Sequence, residues 1–128
     1  MSDRPETPIH GVHLLIDLYG ATHLADETVV REALLAAVAA SGATLLDWRL
    51  HSFGDGAGIT AFALLATSHL SLHTWPEHGY CAVDVFTCGP CDAHAVLPVL
   101  SAAFEPQQMT VSEQARGAGR PAERATHV

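Results

Sequence analysis

The run Ser68-His-Leu-Ser-Leu-His-Thr-Trp75, followed after Pro76-Glu-His-Gly79 by Tyr80-Cys-Ala-Val-Asp-Val-Phe-Thr87, constrains the fold more than any other part of the chain. Successive side chains of a strand point to opposite faces. In the first run Leu70 and Leu72 share one face, while His69, Ser71, His73 and Trp75 share the other. In the second, Tyr80, Ala82, Asp84, Phe86 and Cys88 share a face. The two read as adjacent strands with a leucine face for the core and an opposite face that is either solvated or a site. A polar cluster spanning both strands is expected on that opposite face. Ser68 and His73 have opposite parity, so they could meet only if Ser68 lies at a strand start or in a bulge.

The flanking sequence extends the pattern. Gly11–Tyr19 reads as a strand ending at Gly20. Asp26-Glu27 open a helix to Ala40, with Val29, Val30, Leu34, Leu35 and Val38 at helical spacing and Ser41-Gly42 as its stop. Thr44–Phe53 reads as a second strand alternating through Leu46, Trp48 and Leu50, and Gly54–Gly58 as a turn. Ile59–Ala66 is a further strand, a helix is expected over about Asp92–Phe104, and a short last strand over Gln107–Val111. Residues 1–10 read as a flexible polar leader, and residues from Gly117 onward as a mobile tail. The order predicts an α+β fold: an antiparallel sheet with two helices on one face. The other face needs a cover, and in so short a chain a second copy is expected, giving a homodimer packed as an αββα sandwich.

One domain spanning 1–128 is expected, with its ordered core at about 11–113. Fourteen acidic residues against six basic give a formal charge of −8. That balance argues against nucleic acid and anionic membrane as partners, and leaves a cationic or zwitterionic small molecule open. No apolar run approaches the ~20 residues of a membrane helix, and the first residues lack the apolar segment of a signal peptide. A cytoplasmic location follows, with the odd set Cys81, Cys88 and Cys91 read as free thiols.

Several chemistries use these residue types. Cys88-x-x-Cys91-x-x-His94 with Cys81 upstream offers zinc ligands, although no second paired motif completes a tetrahedron. The Cys88/Cys91 pair also has thioredoxin-like spacing, but that motif opens a helix within a βαβ unit, which the order here does not match. Both rank below a reading in which Cys91 is incidental. Ser68, His73 and Asp84 supply hydrolase types without a G-x-S-x-G elbow. His10, His23, His78, His94 and His127 fall in loops, on a helix surface or in the tail, and Trp48 and Phe62 read as core.

The segment SHLSLHTWPEHGYCAVDVFTCG, residues 68–89, closely resembles the S-H-x-x-[IL]-H-[ST]-[WF]-P-E-x-G-Y-x-x-[IV]-D-[VL]-[FY]-T-C-G block of the short prokaryotic S-adenosylmethionine decarboxylases. Weaker resemblance covers about residues 11–113: GVHLLIDLYG resembles the family's first strand, and Leu50-His-Ser-Phe53 its F-H-x-F segment. The resemblance implies a proenzyme that cuts itself between Thr67 and Ser68 into a β chain 1–67 and an α chain 68–128. Ser68 would become a pyruvoyl group, which forms a Schiff base with the substrate amine. His73 would transfer the proton in processing, and Cys88 would donate the proton that replaces CO2. Thr60 falls where the family has a serine that assists processing. Glu77 matches the carboxylate that binds ribose, and Phe53 and His73 match the groups that stack on adenine. No metal is implied, and the product would be the aminopropyl donor of polyamine synthesis.

Three departures from the family pattern stand out. Thr67 replaces the usual Glu, the P-x-G-V-S-G loop has become Gly56-Ala-Gly-Ile-Thr60, and G-R-H at the first strand is Gly11-Val12-His13. They keep open a same-family decarboxylase acting on arginine or ornithine, and an uncleaved binding homologue.

Overall fold

The computed structural model describes residues 10–117; the leader before residue 10 and the tail after residue 117 lie outside them. Six strands form one antiparallel sheet: β1 (Gly11–Tyr19), β2 (Leu45–Ser52), β3 (Ile59–Leu65), β4 (Ser68–Trp75), β5 (Tyr80–Cys88) and β6 (Gln108–Arg116). Their spatial order is β2-β3-β4-β5-β1-β6. Two helices, α1 (Glu27–Ser41) and α2 (Val96–Phe104), pack on each other and on one face. The expected α+β layer is therefore observed.

Alternation decides which face is the core. Leu70 lies opposite Ala63 on β3 and Val85 on β5, and Leu72 opposite Ala61 and Val83. These six are buried, with Leu14, Ile16 and Leu18 of β1 extending the same surface. α1 contributes Val30, Leu34 and Val38 of the expected stripe, with Ala33 and Ala37 buried beside them in place of Val29 and Leu35, which are only half-buried. It starts where predicted because the Asp26 carboxylate accepts from the N–H groups of Thr28 and Val29 at 3.0 and 3.2 Å. It stops at Gly42, whose φ of 82° lies in the left-handed region that glycine tolerates.

Four expectations are revised. The helix after Asp92 is split: Asp92 caps a 3₁₀ turn over Ala93–Ala95, and α2 begins at Val96. Pro98 then falls in the first turn of α2, where its missing N–H needs no partner. β6 runs to Arg116, pairing with all of β1 from Tyr19↔Gln108 to Gly11↔Arg116. It is an edge strand and mostly exposed, so Ser112–Arg116 carries no apolar alternation to betray it. A bulge between Leu45 and Asp47 leaves Leu46 unpaired and 60% exposed, so only Trp48 and Leu50 face the core. Phe62 is 41% exposed on the helix-free face, because it alternates with the buried Ala61 and Ala63. With Leu15, Tyr19, Leu64 and Trp75 it gives that face a large apolar content.

Candidate active site

At one end of the sheet β3 turns into β4. Leu65 pairs with Ser68, so Ala66-Thr67 is a two-residue hairpin connection. Thr67 has φ 59°, whereas Ala66 does not have positive φ. A positive φ at the second central position alone is the type II pattern, which normally takes glycine there. A β-branched residue in this conformation is an outlier, costing on the order of 1–3 kcal/mol. Ser68 opens β4 with its side chain toward the helices: it is 8% exposed, and its hydroxyl oxygen has no hydrogen-bond partner among the described residues. From β5, the Cys88 thiol donates to the Thr67 carbonyl at 3.6 Å. A strained peptide, an uncommitted hydroxyl and a donor on the adjoining carbonyl thus meet at one turn.

At the other end lies a cleft of about 330 Å³ lined by Phe53, Gly58, Thr60, His73, Trp75 and Glu77, with Thr74. The Thr60 hydroxyl and His73 Nδ1 are 3.2 Å apart across β3 and β4. Below them Ile59 N–H donates to the Thr74 hydroxyl at 2.9 Å, and that hydroxyl donates to the Leu24 carbonyl at 2.8 Å. Gly58 is required by close approach, since a Cβ there would come within 2.4 Å of the Thr74 carbonyl oxygen. Glu77 is presented by a 3₁₀ turn over Pro76–His78 that closes at Gly79. Phe53 is 65% exposed at the rim, its ring 4.6 Å from that of His51. Trp75 stacks on Tyr80 at 5.3 Å, and Tyr80 donates to Asp17 at 2.5 Å. That bond, with burial and the Asp17 charge, pushes the phenol up to about 12. Aromatic rings beside one carboxylate suit an aromatic, cationic ligand bearing hydroxyls.

Between the two ends the expected polar cluster is present. Asp84 Oδ2 lies 2.7 Å from His13 Nε2 and 2.9 Å from His69 Nε2, and Ser71 donates to Oδ1. Burial would raise the Asp84 pKa, but the bonds from Ser71, His13 and His69 outweigh it and hold the carboxyl below its ordinary value. Arg116 Nη1 lies 3.2 Å from His13 Nδ1.

The arrangement can be set against known proteins. A model of the family described as S-adenosylmethionine decarboxylase matches residues 12–117. An S-adenosylmethionine decarboxylase proenzyme from Thermomicrobium roseum is 44% identical over 108 residues, covering 84% of this chain and 93% of the relative. One from Methanococcus maripaludis strain C7 is 40% identical over 110 residues, covering 84% and 89%. This chain belongs to the S-adenosylmethionine decarboxylase family. The crystal structure of the adenosylmethionine decarboxylase from Aquifex aeolicus superposes with a TM-score of 0.76 at 34% identity, covering 90% of this chain and 97% of that one.

Within the decarboxylase fold, the residues singled out from sequence divide into two groups. Thr67, Ser68 and Cys88 meet at one end of the sheet; Phe53, Thr60, His73 and Glu77 line the cleft at the other. Ser68 and His73 are five residues apart on one strand, roughly 17 Å at 3.3–3.4 Å per residue, and point to opposite faces. Ser68 does begin its strand, yet that does not bring the pair together. The hydrolase set is not assembled, because Asp84 is engaged by His13, His69 and Ser71 rather than by His73. The zinc set is not assembled either. Cys81 is buried at the opposite end of β5 from Cys88, with its thiol pushed up to about 12 by burial, and His94 Nε2 lies 2.9 Å from Glu113. Two contributors were missed from sequence. Trp75 shares the parity of His73, a signal that was available; His13 joins Asp84 only because β1 packs beside β5.

Proposed function

We propose that this chain is a self-processing, pyruvoyl-dependent S-adenosylmethionine decarboxylase that works as a homodimer in the cytoplasm, its three cysteines free thiols. The Thr67–Ser68 turn carries the proposal. The Ser68 oxygen, buried and without a partner among the described residues, suits a hydroxyl that is consumed: it attacks the Thr67 carbonyl carbon, and the amide becomes an ester with a free amine on residue 68. The Cys88 thiol polarises that carbonyl, and the strain at Thr67 is relieved as its peptide bond is lost. Removal of the α proton of residue 68 by His73 expels the ester as the Thr67 carboxylate. Hydrolysis of the resulting dehydroalanine gives the pyruvoyl group and ammonia, leaving chains 1–67 and 68–128. The word proenzyme in the relatives' names agrees with this.

Once formed, the ketone at residue 68 provides an electron sink for the pair released as a carboxylate leaves as CO2. Everything else falls to side chains. Phe53 and His73 stack on adenine, Glu77 accepts from the ribose hydroxyls, and Trp75 adds an aromatic face for the sulfonium. Cys88 returns a proton to the carbon that lost CO2.

His73 cannot serve Ser68 of its own chain across roughly 17 Å of strand. A second copy removes the distance, and the proton that His73 takes is on the backbone α-carbon of residue 68 rather than on the side chain that points toward the helices. Two helix-free faces packed about a two-fold axis perpendicular to the strands run end against end, so the Ser68 end of one protomer meets the cleft of the other. The exposed Leu15, Tyr19, Phe62, Leu64 and Trp75 supply the apolar surface for such packing. Each site then uses Ser68 and Cys88 of one protomer with the partner's Phe53, Thr60, His73 and Glu77.

Complementation tests this. Ser68→Ala and His73→Ala should each be inactive alone. Co-expressed, they should restore CO2 release from S-adenosylmethionine, because one of the two sites in a mixed dimer is intact. No rescue refutes the shared site. Release from arginine or ornithine but not from S-adenosylmethionine replaces the substrate.

A further inference from the structure

Cys91 is a second thiol that neither processing nor decarboxylation uses, and the fold sets it beside Cys88. β5 ends at Cys88, and Gly89-Pro90 are the two central residues of the turn that follows. Gly89 has φ 64°, while the proline ring keeps φ negative, which is the pattern of a type II′ turn. A β-turn holds its first and fourth Cα atoms within about 7 Å, the span that a disulfide can bridge. Both thiols are half-buried rather than sealed, and Cys91 lies outside any strand or helix. The backbone is pinned on both sides: Gly89 N–H donates to the His10 carbonyl at 3.3 Å, and Asp92 N–H to the Ser41 carbonyl at 2.9 Å. Side-chain rotation about Cys88 and Cys91 is then the main movement needed. Cys81 cannot compete, being buried at the other end of β5 and on its other face.

We propose that Cys88 and Cys91 form a reversible disulfide that withdraws Cys88 from the active site. The oxidant is a low-molecular-weight disulfide, which a site open to a nucleoside admits. One protein thiolate attacks it, releasing one small thiol and leaving a mixed disulfide. The second protein thiolate attacks the protein sulfur of that bond and releases the other small thiol. Two protein thiols have lost two electrons and two protons, and one small disulfide has become two thiols. The consequence for turnover rests on Cys88 as proton donor; the disulfide itself does not.

The test treats the reduced, cleaved enzyme with oxidised glutathione, then alkylates it in denaturant and maps the peptides by mass. Wild type should lose two hydrogens across Cys88 and Cys91, carry no glutathione and leave Cys81 alkylated. Cys91→Ser should form no internal bond and retain glutathione on Cys88. Turnover of the oxidised wild type should fall at least tenfold and return with dithiothreitol, while untreated Cys91→Ser keeps wild-type turnover. Alkylation of both Cys88 and Cys91 after treatment, or glutathione retained on wild type, overturns the proposal. A disulfide in a chain that never releases CO2 would instead sink the decarboxylase reading and leave the redox pair standing.

Discussion

Thr67→Gly is the substitution that most directly tests the proposed self-cleavage. Thr67 has φ 59° without the freedom of glycine. The left-handed conformation costs an L-residue about 1–2 kcal/mol, and glycine removes most of that. If the uncut chain carries this strain and the transition state sheds it, glycine stabilises only the starting state. At 1.36 kcal/mol per tenfold in rate, cleavage should slow by roughly 5- to 30-fold. The assay follows the 13.5 kDa precursor by intact mass as it becomes fragments ending at Thr67 and beginning at residue 68. Thr67→Glu keeps a β-carbon, and hence the strain, so it should cleave close to the wild-type rate. In an uncleavable Ser68→Ala background, Thr67→Gly should raise the melting temperature slightly, glycine's unfolded-state entropy offsetting part of the gain. Cleavage of Thr67→Gly at or above the wild-type rate would refute the role given to strain.

Three further outcomes are expected. Cys88→Ala should lower kcat by 10²-fold or more, in the range of a lost general acid, with KM within a few-fold; unchanged kcat removes Cys88 from the proton-donor role. Asp84→Asn should cost about 1–3 kcal/mol at neutral pH, the scale of hydrogen bonds to a charged group. Because the folded carboxyl titrates below its unfolded value near 4, its contribution is present above that value and lost as pH falls through the folded one. Thermal melts of wild type and variant should therefore converge below about pH 4, and a constant gap across the range contradicts the assignment. Phe62→Glu with Leu64→Arg on the helix-free face should give a monomer by size-exclusion chromatography that does not cleave; a cleaving monomer rules out the two-copy site.

Much of this architecture was legible because a period of two residues leaves few choices. Parity alone puts Leu70 and Leu72 inward and allows a polar cluster across both strands on the other face; that Asp84 meets Ser71 and His69 there is a finding of the structure. The separation of Ser68 from His73 was also there, as a five-residue count along one strand. What parity cannot carry is strand order, so His13 joined the cluster without warning from β1. Nor can it carry backbone angle: Thr67 reads as an ordinary residue, and its φ becomes evident only when Leu65 pairs with Ser68 across two residues. Phe62 reads as core rather than as a cofactor contact, whereas the burial of its neighbours Ala61 and Ala63 places it on the opposite face.

The strand order gives the proposed self-cleavage a further meaning. A cut after Thr67 leaves β1, α1, β2 and β3 on the N-terminal piece and β4, β5, α2 and β6 on the other. Across the sheet the pieces run first, first, second, second, first, second, with β1 held between two strands of its counterpart. Neither piece can leave without tearing ladders on both sides of a strand. Reassembly after unfolding becomes a meeting of two molecules rather than a search by one. Folding must precede cutting, and a cleaved enzyme that once comes apart should not recover at the concentrations from which its precursor folds.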